Sequence, residues 1–190
     1  MDYQLTMLGI SLPQLSGCFP NARYMVLYRE DLLQQYLSWK CASHLWLWYM
    51  RRGKCYRQTP DQLPPLQISL SELTSFCQEH LHFYRNLQAW EKIGGRVIWC
   101  RYEDLVEDPQ LVCNRLFEFL GFSAVHVSTQ LIKMINRKPR EMISNFEEVA
   151  PLISNETTKL KLDPTPLSAA SASTRRRAPH NSQLLNGLQL

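Results

Sequence analysis

The chain has 190 residues with a formal net charge of +4 and is 45% apolar, which suits one domain and excludes a chain too polar to fold. Five basic residues (Lys159, Lys161, Arg175, Arg176, Arg177) and two acids (Glu156, Asp163) lie beyond position 154, so the tail carries +3 and the body +1. A body this close to neutral does not read as a general nucleic-acid binder.

In chain order, residues 1–18 form a lead with a short helical pattern at 3–8. The start Met1-Asp2-Tyr3-Gln4 lacks the basic opening of a secretory signal. The run 23–28 is compact and apolar, as expected of a strand buried on both faces. Asp31 is placed to cap the next helix, where Leu33, Leu37, Cys41, Leu45 and Trp48 recur at helical spacing until Arg51-Arg52-Gly53. Trp46, Trp48 and Tyr49 read as core packing, with an acceptor pocket as the other reading.

A proline-rich loop spans 54–67. Ser69 and Glu72 then have capping-box spacing, with Ile68 and Leu73 as the flanking apolar pair. The helix they open runs to Gly94-Gly95. A second buried strand, 97–100, leads into an Arg101–Leu105 corner. Asp108 and Pro109 open a short helix that ends at Gly121. A further helix is expected at 129–135, and a loop with a short helix at 136–153, with Phe146, Val149 and Leu152 inward. From 155 the chain is rich in Ser, Ala, Pro and Arg and is expected to be a disordered tail. The domain division is therefore 1–154 and 155–190.

Strands joined by helical crossovers predict parallel pairing in an α/β domain. The six cysteines show no metal-ligand spacing and mostly sit in apolar patterns, which suits buried thiols in a reducing, cytoplasmic setting. No apolar run approaches a membrane span.

The two strand ends carry arginines. Arg29 follows the first strand, and Ser38 lies nine residues on, two turns into the helix. Folded back, they can offer a fork of N–H donors and one hydroxyl to a phosphate. The same spacing is met by Arg29 in an ion pair with Glu30 or Asp104, and by Ser38 as an ordinary helix serine. At the second strand, Tyr102 can lay its ring on a base, while Glu103 and Asp104 can orient Arg29 or Arg101 or form a buried ion network.

Two segments carry a resemblance: Phe19-Pro20-Asn21-Ala22-Arg23 with Tyr28-Arg29-Glu30-Asp31-Leu32 and Ser38, and Arg101-Tyr102-Glu103-Asp104-Leu105-Val106-Glu107-Asp108-Pro109 with Leu116-Phe117-Glu118-Phe119-Leu120-Gly121. In order and separation they resemble the sulfotransferase family, which uses 3′-phosphoadenosine-5′-phosphosulfate (PAPS) as co-substrate, and Arg137-Lys138-Pro139-Arg140 leading into 143–149 is similar to the C-terminal segment of its bacterial-type branch. The resemblance covers 1–153 and is weak over 53–68. It implies a partial P-loop-NTPase-like three-layer fold with a parallel sheet, and transfer of a sulfuryl group to a hydroxyl or amine without a metal.

It also implies that Arg29 and Ser38 bind the 3′-phosphate, that Tyr102 sits near the adenine, and that Arg137 and Arg140 close over the nucleotide phosphates. The implied partners are a small-molecule or carbohydrate acceptor, with no nucleic acid and no membrane. None of the seven glycines lies in a phosphate-loop motif, so the family's first strand and its loop are expected to be missing. That leaves a truncated chain, either active or a non-catalytic remnant that complements an N-terminal half. No general base is assigned among the histidines. His44, beside the tryptophans, is the nearest candidate.

Overall fold

The computed structural model describes residues 9–93, 96–155 and 157–162. Ser11 caps α1 (Leu12–Cys18), its hydroxyl accepting from the Gln14 amide. Strand β1 (Tyr24–Tyr28) leads into α2 (Leu32–Leu45), and the two-residue β2 (Met50–Arg51) follows. After a 3-10 turn at Pro60–Gln62 comes the long α3 (Leu70–Lys92), then β3 (Val97–Arg101). α4 (Tyr102–Glu107) follows β3 directly, and α5 (Pro109–Leu120) follows α4 after Asp108. Strand β4 (Leu131–Ile132), α6 (Pro139–Met142) and α7 (Phe146–Ser154) complete the described body.

β1 and β3 pair in parallel, Tyr24 opposite Val97 through Tyr28 opposite Arg101. The protein is thus a mixed α/β structure built on a small parallel sheet. Side chains opposite one another share a face. Tyr24, Val26, Tyr28 and Trp99 face α3, where Tyr24 meets Trp90 edge-on at 4.7 Å and Tyr28 meets Tyr84 at 6.2 Å. Ile98 and Cys100 are buried on the other face, where α5 packs on β3. Met25 and Leu27 share that second face yet are 54% and 52% exposed. The expectation of a first strand buried on both faces is therefore corrected. Among the described residues, β1 has one partner strand, and no helix covers its half of the second face.

α2 forms the centre of the core. Leu32, Tyr36, Leu37 and Cys41 are fully buried against Leu73 and Cys77 of α3. Burying each such leucine contributes about 2 kcal/mol. The helix ends at Leu45, six residues before the predicted basic end, because Trp46 turns into the left-handed region at φ 53°. Trp48 consequently leaves the apolar stripe, and Trp46, Trp48 and Tyr49 are exposed rather than core. Residues 129–135 are not a helix: Leu131 and Ile132 pair antiparallel with Arg51 and Met50.

The caps follow local rules. The Ser69 hydroxyl accepts from the Glu72 amide at 3.3 Å, but the Glu72 carboxylate turns to Lys40 at 2.6 Å instead of closing the box. Asp108 caps α5 through Leu111 at 2.9 Å, and Gly121 ends it at φ 83°. Residues 157–162, assigned by composition to a polar tail, strap the β1–α2 corner: the Leu32 amide donates to Thr158 O at 2.9 Å and the Leu160 amide to Glu30 O at 2.8 Å. Thr158 and Leu160 are buried. The short helix expected at 3–8, Gly94-Gly95 and the stretch 163–190 lie outside the described residues. Among the described residues, no helix is long and apolar enough to cross a membrane.

Candidate functional site

The site is built at the ends of β1 and β3, which the parallel register brings side by side. Arg29 leaves the end of β1, and Asp31 caps α2 through Gln34 at 2.8 Å, which fixes how the helix departs. α2 then folds back so that Ser38 meets the arginine: Arg29 Nη1 donates to Ser38 Oγ at 3.3 Å. From β3, Tyr102 at the start of α4 lies under the guanidinium, 4.7 Å from Arg29 Cζ to the ring centroid. Cation–π contacts of this kind contribute about 0.5–1 kcal/mol where water has access.

Which carboxylate serves which arginine is decided here. Arg101 takes Glu30 at 2.8 Å and Asp104 through Nε at 2.9 Å. Both acids hold the Arg101 guanidinium charged, raising its pKa above the ordinary arginine value. Neither acid pairs with Arg29. Its counter-charge is Glu103, whose Oε1 stands 3.6 Å from Arg29 Nε, beyond hydrogen-bond reach. Both of those atoms are buried without a hydrogen-bond partner. The other Glu103 oxygen accepts from the Glu30 amide at 3.3 Å.

Unpaired buried polar atoms are uncommon and costly. Arg29 keeps N–H donors without a close acceptor. Ser38, which accepts from Arg29, still has its own proton to give. The corner can therefore supply a planar fork, a hydroxyl and an aromatic face to one anion. The same observation tests a phosphate against these residues, and the donor set fits.

Arg29, Ser38 and Tyr102 come together; Arg137 and Arg140 do not join them. Arg137 Nη2 donates to the carbonyls of Pro60 and Leu63, both at 3.0 Å, and Nε lies 3.9 Å from Asp61. It ties down the proline-rich loop. Arg140 is exposed, pairs with Glu147 at 3.1 Å and lies over Phe146. No protein-family model, curated protein or solved structure matches this chain. The site is therefore read from its own geometry.

One further feature escaped the sequence reading, the strap at 157–162, whose signal was only Leu160 and Leu162 in a polar context. At Trp46, Trp48 and Tyr49, where core packing was the first expectation and a pocket the other, the structure has a pair of surface cavities of about 400 and 420 Å³ that extend to Tyr56. Arg29, Ser38 and Tyr102 line neither cavity. His44 lines the first. The signal for this region was the lack of any acid from 32 to 60.

Proposed function

We propose that the chain is a sulfotransferase-family protein that holds the 3′-phosphoadenosine end of PAPS at the Arg29 corner, within a P-loop-NTPase-like α/β fold. The observation that carries this reading is the meeting of Arg29, Ser38 and Tyr102 around an arginine whose carboxylate lies out of hydrogen-bond reach. In this reading Arg29 and Ser38 bind the 3′-phosphate, and Tyr102 faces the adenine. PAPS supplies the sulfuryl group for a hydroxyl or amine acceptor. No residue is assigned to proton transfer.

Calorimetric titration with adenosine 3′,5′-bisphosphate tests the reading. Binding that disappears in Arg29→Ala, with adenosine 5′-triphosphate bound more weakly, supports it. Unchanged affinity in Arg29→Ala removes the assignment.

A second reading is favoured by β1 itself. Met25 and Leu27 are half exposed, and among the described residues one edge of the strand has no partner strand. Open strand edges invite pairing with another chain. In this reading the protein is a non-catalytic half, completed by a polypeptide that brings a strand and a phosphate loop. Sulfuryl transfer from PAPS by the purified chain alone would overturn it.

A further inference from the structure

The end of α2 is unusual. Trp46 takes φ 53° and ψ 32°, a left-handed conformation that glycine commonly supplies at helix ends. A bulky residue there is strained, and such strain collects at functional positions. Its side chain is 86% exposed. Trp48 and Tyr49 follow at 59% and 55%.

This aromatic run is held in place. The Leu47 amide donates to Ala42 O at 3.1 Å, the Arg51 amide to the Tyr56 hydroxyl at 2.6 Å, and the Arg51 guanidinium lies over the Tyr49 ring. Two adjoining cavities share Trp46, Leu47 and Tyr56. The first reaches Arg57, the second Arg51 and Lys54.

The charge around this shelf is of one sign. Residues 32–60 hold Lys40, Arg51, Arg52, Lys54 and Arg57 and no acid. Residues 119–140, which supply β4, hold Lys133, Arg137, Lys138 and Arg140 and again no acid. The β2–β4 pairing joins these two stretches. Carboxylates reach Lys40, Arg137 and Arg140. Among the described residues, none pairs with Arg51, Lys54 or Arg57.

We infer that this aromatic and basic shelf binds a short acidic oligosaccharide, whose sugar rings lie on Trp46 and Trp48 while its carboxylate or sulfate groups pair with Arg51, Lys54 and Arg57. The cavities are open, whereas a small ligand is ordinarily enclosed over most of its surface. A chain that repeats ring and charge suits an open shelf better. Single-stranded nucleic acid offers related chemistry. Outside the two acid-free stretches, however, residues 1–154 carry seven basic against fifteen acidic side chains, which repels a polyanion running past the shelf. The inference does not depend on nucleotide binding at Arg29.

The full chain is titrated by calorimetry with a short oligosaccharide of uronic acid. Comparison titrations use a neutral glucose oligosaccharide, an oligothymidylate of matching length and vesicles containing phosphatidylserine. The expected result is binding of the uronide that weakens with added salt. The neutral sugar, Trp46→Gly and the Lys54→Ala/Arg57→Ala double variant should each weaken binding by about tenfold or more. Because glycine favours the left-handed position, Trp46→Gly should melt no lower than the parent, so its affinity remains interpretable. No uronide binding, equal binding of the neutral sugar, tighter binding of the oligothymidylate or vesicles, or undiminished affinity in Trp46→Gly would overturn the inference.

Discussion

Arg29 Nη1 donates to Ser38 Oγ at 3.3 Å, across a strand end and two turns of helix. The contact is long, and the arginine's carboxylate neighbour stands further off still, at 3.6 Å. Both partners are thus held in position yet incompletely satisfied, the arrangement expected where an anion supplies the remaining acceptors. Calorimetry with adenosine 3′,5′-bisphosphate should show no measurable binding for Arg29→Ala. Ser38→Ala should weaken binding by about tenfold, the order expected for one hydrogen bond to a charged group. A Ser38→Ala variant with full affinity would exclude the hydroxyl from the site.

Glu103 competes with any anion for Arg29. Glu103→Gln keeps an oxygen to accept from the Glu30 amide but removes the negative charge. The variant should bind the bisphosphate several-fold more tightly and show a steeper salt dependence. Weaker binding in Glu103→Gln would mean that the carboxylate's charge is needed to orient the guanidinium.

Trp46 at φ 53° should lower the protein's own stability. Replacing it by glycine removes a left-handed cost of about 1 kcal/mol, partly offset by the freer unfolded chain. Urea denaturation should place the Trp46→Gly midpoint at or above that of the parent. A clearly lower midpoint would show that the exposed indole packs more than its 86% exposure allows.

Leu160 is 1% exposed and its amide holds Glu30 O at the β1–α2 corner. Leu160→Ala should cost about 2–5 kcal/mol by leaving a cavity there. Bisphosphate binding should weaken with it, because the strap holds the residues flanking Arg29. Thermal melting and calorimetry on the one variant check both consequences.

The thiols divide by burial. Cys18 and Cys55 are exposed and should react first with Ellman's reagent at neutral pH, whereas Cys41, Cys77 and Cys100 should wait for unfolding. Burial pushes the Cys77 thiol up to about 11, so the folded state binds its proton more tightly than the unfolded chain. That contribution to stability is complete below the ordinary thiol value of 9.0 and fades as pH rises toward and past about 11. Denaturation midpoints should therefore fall across this alkaline window in the parent, and less in Cys77→Ala.

The readable features were local ones. Tyr24–Tyr28 is an unbroken apolar run followed by Arg29, Val97–Cys100 is one followed by Arg101, and both form strands. Ser69, Asp108 and Gly121 bound their helices because capping depends on a few adjacent residues. Arg29 and Ser38 were visible as a pair because helix geometry converts nine residues into a direction.

Contacts distant in the chain settled the rest. Leu45, Trp46, Leu47 and Trp48 continue an apolar pattern, so the turn at Trp46 emerges only where Met50 and Arg51 join Leu131 and Ile132. Two residues are too few for a strand to announce itself by periodicity. Composition sets 157–162 with a polar tail, but the Thr158 carbonyl, the Leu160 amide and one buried leucine suffice to fix the segment when the corner offers the Leu32 amide, the Glu30 carbonyl and a gap. The allotment of Glu30 and Asp104 to Arg101, which leaves Arg29 under-satisfied, likewise depends on which side chains share a face after folding. Adjacent residues specify strands, caps and turns through their own torsions and hydrogen bonds. Which charge meets which, and which aromatic stays in water, is decided by the competition among all packed neighbours at once.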